Sequence, residues 1–166
     1  MKSSQKVIDY LNFLLAGELG ARDQYFIHSQ MYAEWELGKL HDRIYHEMED
    51  ETLHARLIIN RIIMLGGTPN MQVGKINIGT DVPSMLKSDL DLEYEVQEHL
   101  KEGIAICEAE RDYVTRDMLV GQLADTEQDH AHWLEKQLRL IEMMGIQNYL
   151  QSQTAEPNMV GSAHAH

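Results

Sequence analysis

Cysteine is almost absent from this 166-residue chain: Cys107 stands alone, so one copy can form neither an internal disulfide nor a cysteine-based zinc site. A reduced, cytoplasmic protein is expected. Basic residues are also scarce, with 14 Lys plus Arg against 27 Asp plus Glu, a formal charge of 14 − 27 = −13. That balance argues against nucleic acid or an anionic membrane surface as partner, since both need clustered Lys and Arg, and it favours cations. Long apolar runs are missing too. The N-terminal stretch MKSSQKVIDYLNFLLAGELG breaks every apolar run with a polar or charged residue, so neither a signal peptide nor a membrane span is expected. The length suits one domain with a substantial core.

Proline occurs only at positions 69, 83 and 157, which leaves long stretches of helix formers unbroken. An apolar series through Val7, Leu11, Leu14, Leu15 and Tyr25 predicts a first helix from Ser4 to about Glu34, with Ser3 or Ser4 as N-cap. Leu40, Ile44, Met48, Ala55, Ile58, Ile62 and Leu65 predict a second, stopped by Gly66-Gly67 and Pro69. Residues 66–83 hold four glycines and two prolines without helical period and read as a long connection. Third and fourth helices follow at about Ser84–Ala109 and Arg111–Met144, then a short piece at Ile146–Gln151. Two short turns and one long crossover predict an all-α four-helix bundle with a short C-terminal fifth helix. Residues 1–152 form the expected domain, and the polar, aperiodic tail 153–166 is expected to be disordered.

Glu51-Thr52-Leu53-His54 and Glu127-Gln128-Asp129-His130 are both Glu-x-x-His, and on a helix residues three apart share a face. The motif is short and arises by chance; its position raises its value. Glu18 falls in the apolar stripe of the first helix, Glu51 in that of the second, Glu93 between Leu90 and Val96, and Glu127 with His130 between Leu123 and Leu134. Each helix therefore carries a carboxylate on its core face. Unpaired carboxylates in an apolar interior cost several kcal/mol or more, so they need protons, internal bases or bound cations. Glu18 precedes Glu51 by 33 residues and Glu93 precedes Glu127 by 34, as if two hairpins repeat one ligand-bearing unit. Carboxylates with one imidazole per metal and no thiolate suit iron or manganese, and bridging carboxylates would hold two ions close together. Buried ion pairs with Arg and Lys are the alternative, disfavoured because those residues are nearly absent from the stripes.

Over about residues 1–153 the sequence resembles the bacterioferritin-type bacterial ferritins, in the segments VIDYLN, GELGARDQYFIHSQMY, YHEMEDETLHA, LGGTPNM, DYVTRDML, HWLE and MGIQNYLQSQ. The resemblance implies a hollow cage of roughly two dozen chains. It also implies a di-iron ferroxidase centre inside each bundle, where Fe²⁺ is oxidised by O₂ or H₂O₂, and an iron mineral in the cavity. Glu18, Glu51, His54, Glu93, Glu127 and His130 match the family's six di-iron ligand positions, and Tyr25 its nearby tyrosine. A small ferredoxin is the reductant that the resemblance suggests for iron release. His46 and Asp50 match positions that can bind iron at the cavity surface; solvated side chains are the equal reading.

The chain departs from the family pattern twice. Thr52 stands where bacterioferritins place the methionine that ligates haem between two subunits, and a hydroxyl is a poor haem-iron ligand. Haem is therefore not expected in a homopolymer, although co-assembly with a methionine-bearing, haem-binding subunit would supply it. One extra residue lies in the fourth helix between DYVTRDML and the Glu127 motif, which requires a π-bulge or a register shift and loosens the aim of His130. The remaining methionines, Met48 among them, read as core filler, Cys107 as an inert core thiol, and His164 and His166 as tail residues without a specific role. A di-iron or di-manganese oxidase or peroxidase acting on a small substrate is the competing reading.

Overall fold

The computed structural model describes residues 4–70, 72 and 74–157. Helix α1 spans Gln5–Glu34, α2 Gly38–Met64, α3 Val82–Ala109, α4 Tyr113–Asp125, α5 His132–Met144 and α6 Ile146–Gln153. A π-helical turn, Thr126–Ala131, joins α4 to α5 with helical backbone at both junctions, so the two form one rod. The expected fourth helix is thus present but interrupted by a turn of wider winding, the device by which a helix absorbs an added residue. The α1–α2 and α3–α4 hairpins, joined by the crossover after Met64, make the four-helix bundle, and α6 lies against its end.

Local chemistry sets the ends. Gly66 adopts φ 86° and the Gly67 amide reaches back to the Ile62 carbonyl, closing α2 as the Gly-Gly pair predicts. Helix α3 starts two residues before the expected Ser84, because Asp81 accepts from the Ser84 amide while the Ser84 hydroxyl accepts from the Asp81 amide, a capping box that also accommodates Pro83 in the first turn. Helix α4 starts at Tyr113, two residues later than expected. Arg111 takes φ 58°, outside helical space, and Asp112 caps the Thr115 amide. Ser4 is the N-cap of α1 but makes no side-chain cap bond.

The crossover has no helical period, yet it is pinned along its length. Asn12 bonds Thr68 and Asn70, the Asn77 amide donates to Gln24, and the Gly79 amide donates to His28 Nε2 at 3.1 Å. Gly74 lies so close to α1 that a Cβ there would sit 2.5 Å from the Ala16 carbonyl oxygen. Because His28 Nε2 accepts, its Nδ1 carries the proton and donates to Asp89 at 2.9 Å; Gln24 donates to the same carboxylate oxygen at 2.8 Å. All three side chains are buried.

The expected domain edge at 152 falls short. Gln153 is still helical, and Ala155 pairs with the α1–α2 turn through Gly38 N–H to Ala155 O at 3.0 Å and Ala155 N–H to Glu36 O at 3.3 Å. Residues 158–166, with His164 and His166, lie outside the described residues. Among the described residues no helix is long and apolar enough to cross a membrane.

His28→Leu should remove the only bond of the Gly79 amide named above and leave Asp89 buried without its imidazole donor. A loss of about 3 kcal/mol is expected in chemical denaturation. Amide exchange should rise first at residues 77–79; unchanged exchange there would show that the crossover is held by other means.

Candidate metal centre

The core divides into two apolar clusters. One gathers Leu11, Leu15, Ile58, Ile62, Leu100 and Leu119, the other Tyr25, Tyr32, Leu40, Ile44, Met85, Leu86, Leu134 and Tyr149. The residues between them in each helix are polar and equally buried: Glu18, Glu51, His54, Glu93 and His130 are each 1–5 % exposed. Helical period brings Glu18, Glu51, His54 and Glu93 inward, since their neighbours along each stripe are core residues, and the π turn brings in His130.

Glu51 is central. Its Oε2 lies 3.4 Å from His54 Nδ1 and its Oε1 lies 3.0 Å from His130 Nδ1, so one carboxylate spans both imidazoles. Glu18 Oε2 approaches His54 Nδ1 at 3.7 Å, and Glu93 Oε1 approaches His130 Nδ1 at 3.4 Å while accepting a hydrogen bond from the Tyr25 hydroxyl. The two rings lie nearly parallel with centroids 6.0 Å apart. Two groups result, Glu18–Glu51–His54 and Glu51–Glu93–His130. In each the donor atoms lie within 4.8 Å of one another, and the groups share Glu51. Glu18 Oε2, Glu51 Oε2, Glu93 Oε2, His54 Nδ1 and His130 Nδ1 are all buried without a hydrogen-bond partner. Five orphaned donors converging between two apolar clusters is the arrangement that cations would satisfy.

Behind each imidazole stands a carboxylate. His54 Nε2 contacts Asp125 at 2.9 Å, and His130 Nε2 contacts Glu47 at 2.6 Å and Asp50 at 3.2 Å. Such outer carboxylates place the proton on Nε2 and leave Nδ1 free to ligate. Neither Asp125 nor Glu47 was among the sequence candidates. Glu47 does stand four residues before Glu51 on the same face, a signal the apolar stripe contained.

Glu127 is the sequence candidate that the structure does not bring in. Its side chain is exposed, whereas Thr126 is fully buried and shares the inward face with His130 four residues on. The π turn is the reason: its slower winding rotates residues three apart off a common face, so Glu127 and His130 diverge. The π turn therefore keeps His130 aimed inward and turns Glu127 outward, with the Thr126 hydroxyl buried and unpaired in its stead.

The remaining candidates scatter. His46 is largely exposed and stands 3.4 Å from Asp50. Met85 is fully buried as core filler, but Met64 and Met143 are exposed. Cys107 is buried, and that burial pushes its thiol up to about 11, consistent with an inert residue. Thr52 is half-buried on the outer face of α2, its hydroxyl donating to the Met48 carbonyl at 2.9 Å.

Protons replace cations in the metal-free centre. Burial, reinforced by the charge of Glu51, raises the Glu18 carboxyl well above the usual range, and burial raises Glu93 against the pull of His130. Burial opposes the charged form of Glu51 too, but the close approach of Glu18, His130 and His54 outweighs it and lowers that carboxyl. Burial likewise works against charged His54, yet Glu18 and Glu51 raise it to about 11; His130 rises further under Asp50, Glu47, Glu51 and Glu93.

A ferritin-like domain model matches residues 8–144. This chain belongs to the ferritin family. It is 63% identical over 153 residues to the bacterial ferritin of Neisseria meningitidis serogroup B, covering 92% of this chain and 99% of that one. It is 60% identical to the bacterial ferritin of Synechocystis over 92% of this chain and 99% of that one. A bacterioferritin of Mycobacterium leprae is 37% identical over 90% of this chain and 94% of its own. The carboxylate and histidine clusters of this chain are compatible with the di-iron site of a ferritin.

The proton bookkeeping sets a pH dependence for the metal-free ferritin. Folded His54 holds its proton above the ordinary histidine range, so its contribution is complete below about 6.5 and is lost as pH climbs through about 11. Glu18 and Glu93, raised by burial, also favour the folded state when protonated and lose that contribution as pH rises. Melting temperature of the metal-free protein should therefore fall between pH 7 and 11, and Glu18→Gln should flatten that slope. Parallel slopes for the two proteins would show that the centre does not hold these protons.

Proposed function

We propose that this ferritin oxidises Fe²⁺ at a dinuclear centre within each bundle and stores the ferric product inside a cage of about 24 chains. The observation that carries the reading is the set of five buried, unpartnered donor atoms on Glu18, Glu51, Glu93, His54 and His130. Fe²⁺ is the substrate. Two of these ions give two electrons to O₂, which with two protons yields H₂O₂, or to H₂O₂ itself, which yields water.

The residues have separable tasks. Glu18 and His54 would hold one ion, Glu93 and His130 the other, and Glu51, spanning both imidazoles, would couple them. Hard anionic donors favour Fe³⁺ over Fe²⁺, which drives the oxidation. The ligands must shed the protons that they carry in the metal-free state, and Asp125 and Asp50 hold the Nε2 protons meanwhile. Tyr25, hydrogen-bonded to Glu93, stands where it could pass an electron to an oxidant at the centre. The chain's −13 charge, repeated around a cage, would draw cations in. The cytoplasm is the compartment this reading assigns, with a small ferredoxin as reductant of the stored mineral.

Glu18→Ala and His54→Ala should each leave assembly intact and slow the fast phase of Fe²⁺ oxidation by about 10²-fold, the scale on which a lost positioned electrostatic group lowers a rate. Glu127→Ala should leave that phase unchanged, because its side chain is exposed. Stopped-flow absorbance of the ferric product decides both. Size-exclusion mass separates a cage of several hundred kilodaltons from a small di-iron or di-manganese oxidase acting as monomer or dimer.

Haem is the second point. Met48 lies one turn before Thr52 on α2, so using it as a ligand would require a helix shift of about 5.4 Å, which would pull Glu51 and His54 off the centre. The homopolymer should purify without haem, and Thr52→Met should gain haem while keeping ferroxidase activity. A bis-methionine haem spectrum from the wild-type homopolymer would contradict this, whereas haem acquired only on mixing with a methionine-bearing subunit would fit a mixed cage.

A further inference from the structure

Arg43 stands beside the centre without a part in the oxidation chemistry above. Its Nε lies 2.7 Å from Glu47 Oε1 and its Nη2 2.8 Å from Asp129 Oδ1, so it ties α2 to the π turn. The guanidinium lies over the Trp133 ring, 4.9 Å from its centroid. Behind it, His130 turns Nε2 toward Glu47 and Asp50.

Donor atoms of Glu47, Asp50, Asp129 and His130 lie within 4.8 Å of one another, a spacing suited to a metal ion. Glu47 is buried, and its Oε2, although 2.6 Å from His130 Nε2, makes no aligned hydrogen bond. This group opens outward: the side chains of Arg43, Asp50 and Asp129 are 26%, 24% and 44% exposed, while that of His130 is fully enclosed. Three carboxylates in such a place attract a cation. Arg43 is the cation already among them.

We propose that Arg43 is a tethered cation that latches the solvent-facing mouth of the centre, occupying the place of a metal ion between Glu47 and Asp129 and, through Glu47, positioning His130. The identity of what passes rests on the di-iron reading; the latch rests on these contacts. An ion settling among Glu47, Asp50, Asp129 and His130 must displace the guanidinium from both carboxylates. The side chain is partly exposed and held only by its two ion pairs and the indole face, so it can swing without unfolding α2. A planar fork suits the task, since it bonds two carboxylates on different helical segments at once.

The test is a titration of the metal-free protein with Co²⁺, which binds without the oxidation step, read by calorimetry and by its visible absorption. Wild type should take about two ions per chain and Arg43→Gln about three, because the freed carboxylates gain a cation. Arg43→Gln combined with Glu47→Gln should return to about two. Arg43→Lys, which keeps the charge, should also stay at about two. With Fe²⁺, Arg43→Gln should shorten the delay before the centre accepts a second dose. An equal Co²⁺ count in wild type and Arg43→Gln, with only a lowered melting temperature, would show that Arg43 is a structural ion pair and overturn the latch. A wild type that binds no ion tightly while Arg43→Gln gains one would remove the di-iron reading and leave the latch standing.

Discussion

Three carboxylates and two imidazoles buried side by side in a helical bundle are the constraint around which this protein is arranged. Unpaired, each charge would cost several kcal/mol in that setting. The metal-free chain meets the cost with protons, which hold Glu18 and Glu93 toward the neutral form and His54 and His130 toward the charged one. That solution leaves five donor atoms without hydrogen bonds. A centre satisfied by protons but not by geometry has the donor set that cations would satisfy.

The apolar clusters on either side make the constraint bearable. Leu15, Ile58 and Leu100 on one side and Leu40, Ile44 and Leu86 on the other are fully buried and clamp the four helices above and below the polar layer. Each such side chain contributes roughly 1.5–3 kcal/mol by leaving water, so a few of them offset the polar layer. The pinned crossover adds to this, because Gln24, His28 and Asp89 join the connection to α1 and α3 on the Tyr25 side of the centre.

The π turn is where the chain departs from regular geometry, and its effects are local and opposed. It turns Glu127 to solvent, buries Thr126 and keeps His130 facing Glu51. It also presents Asp129 to Arg43, so the same turn that withdraws one carboxylate from the interior supplies another beside Arg43. π turns of this kind recur at functional sites because they re-aim side chains without ending the helix.

The amino-acid order by itself determined the helices, the stop of α2 at Gly66, the single crossover, and the inward placement of Glu18, Glu51, His54 and Glu93, because all of these follow from period, caps and breakers within a few residues. Only the tertiary structure decided that Glu127 leaves the centre, since a slower helical winding and the straight continuation of an α-helix are written with the same residues. Asp125 behind His54 and the clamp of Arg43 on Asp129 also came from the fold alone. Those partners lie 71 and 86 residues apart, and no local periodicity can bring together side chains whose meeting depends on how two helices face each other.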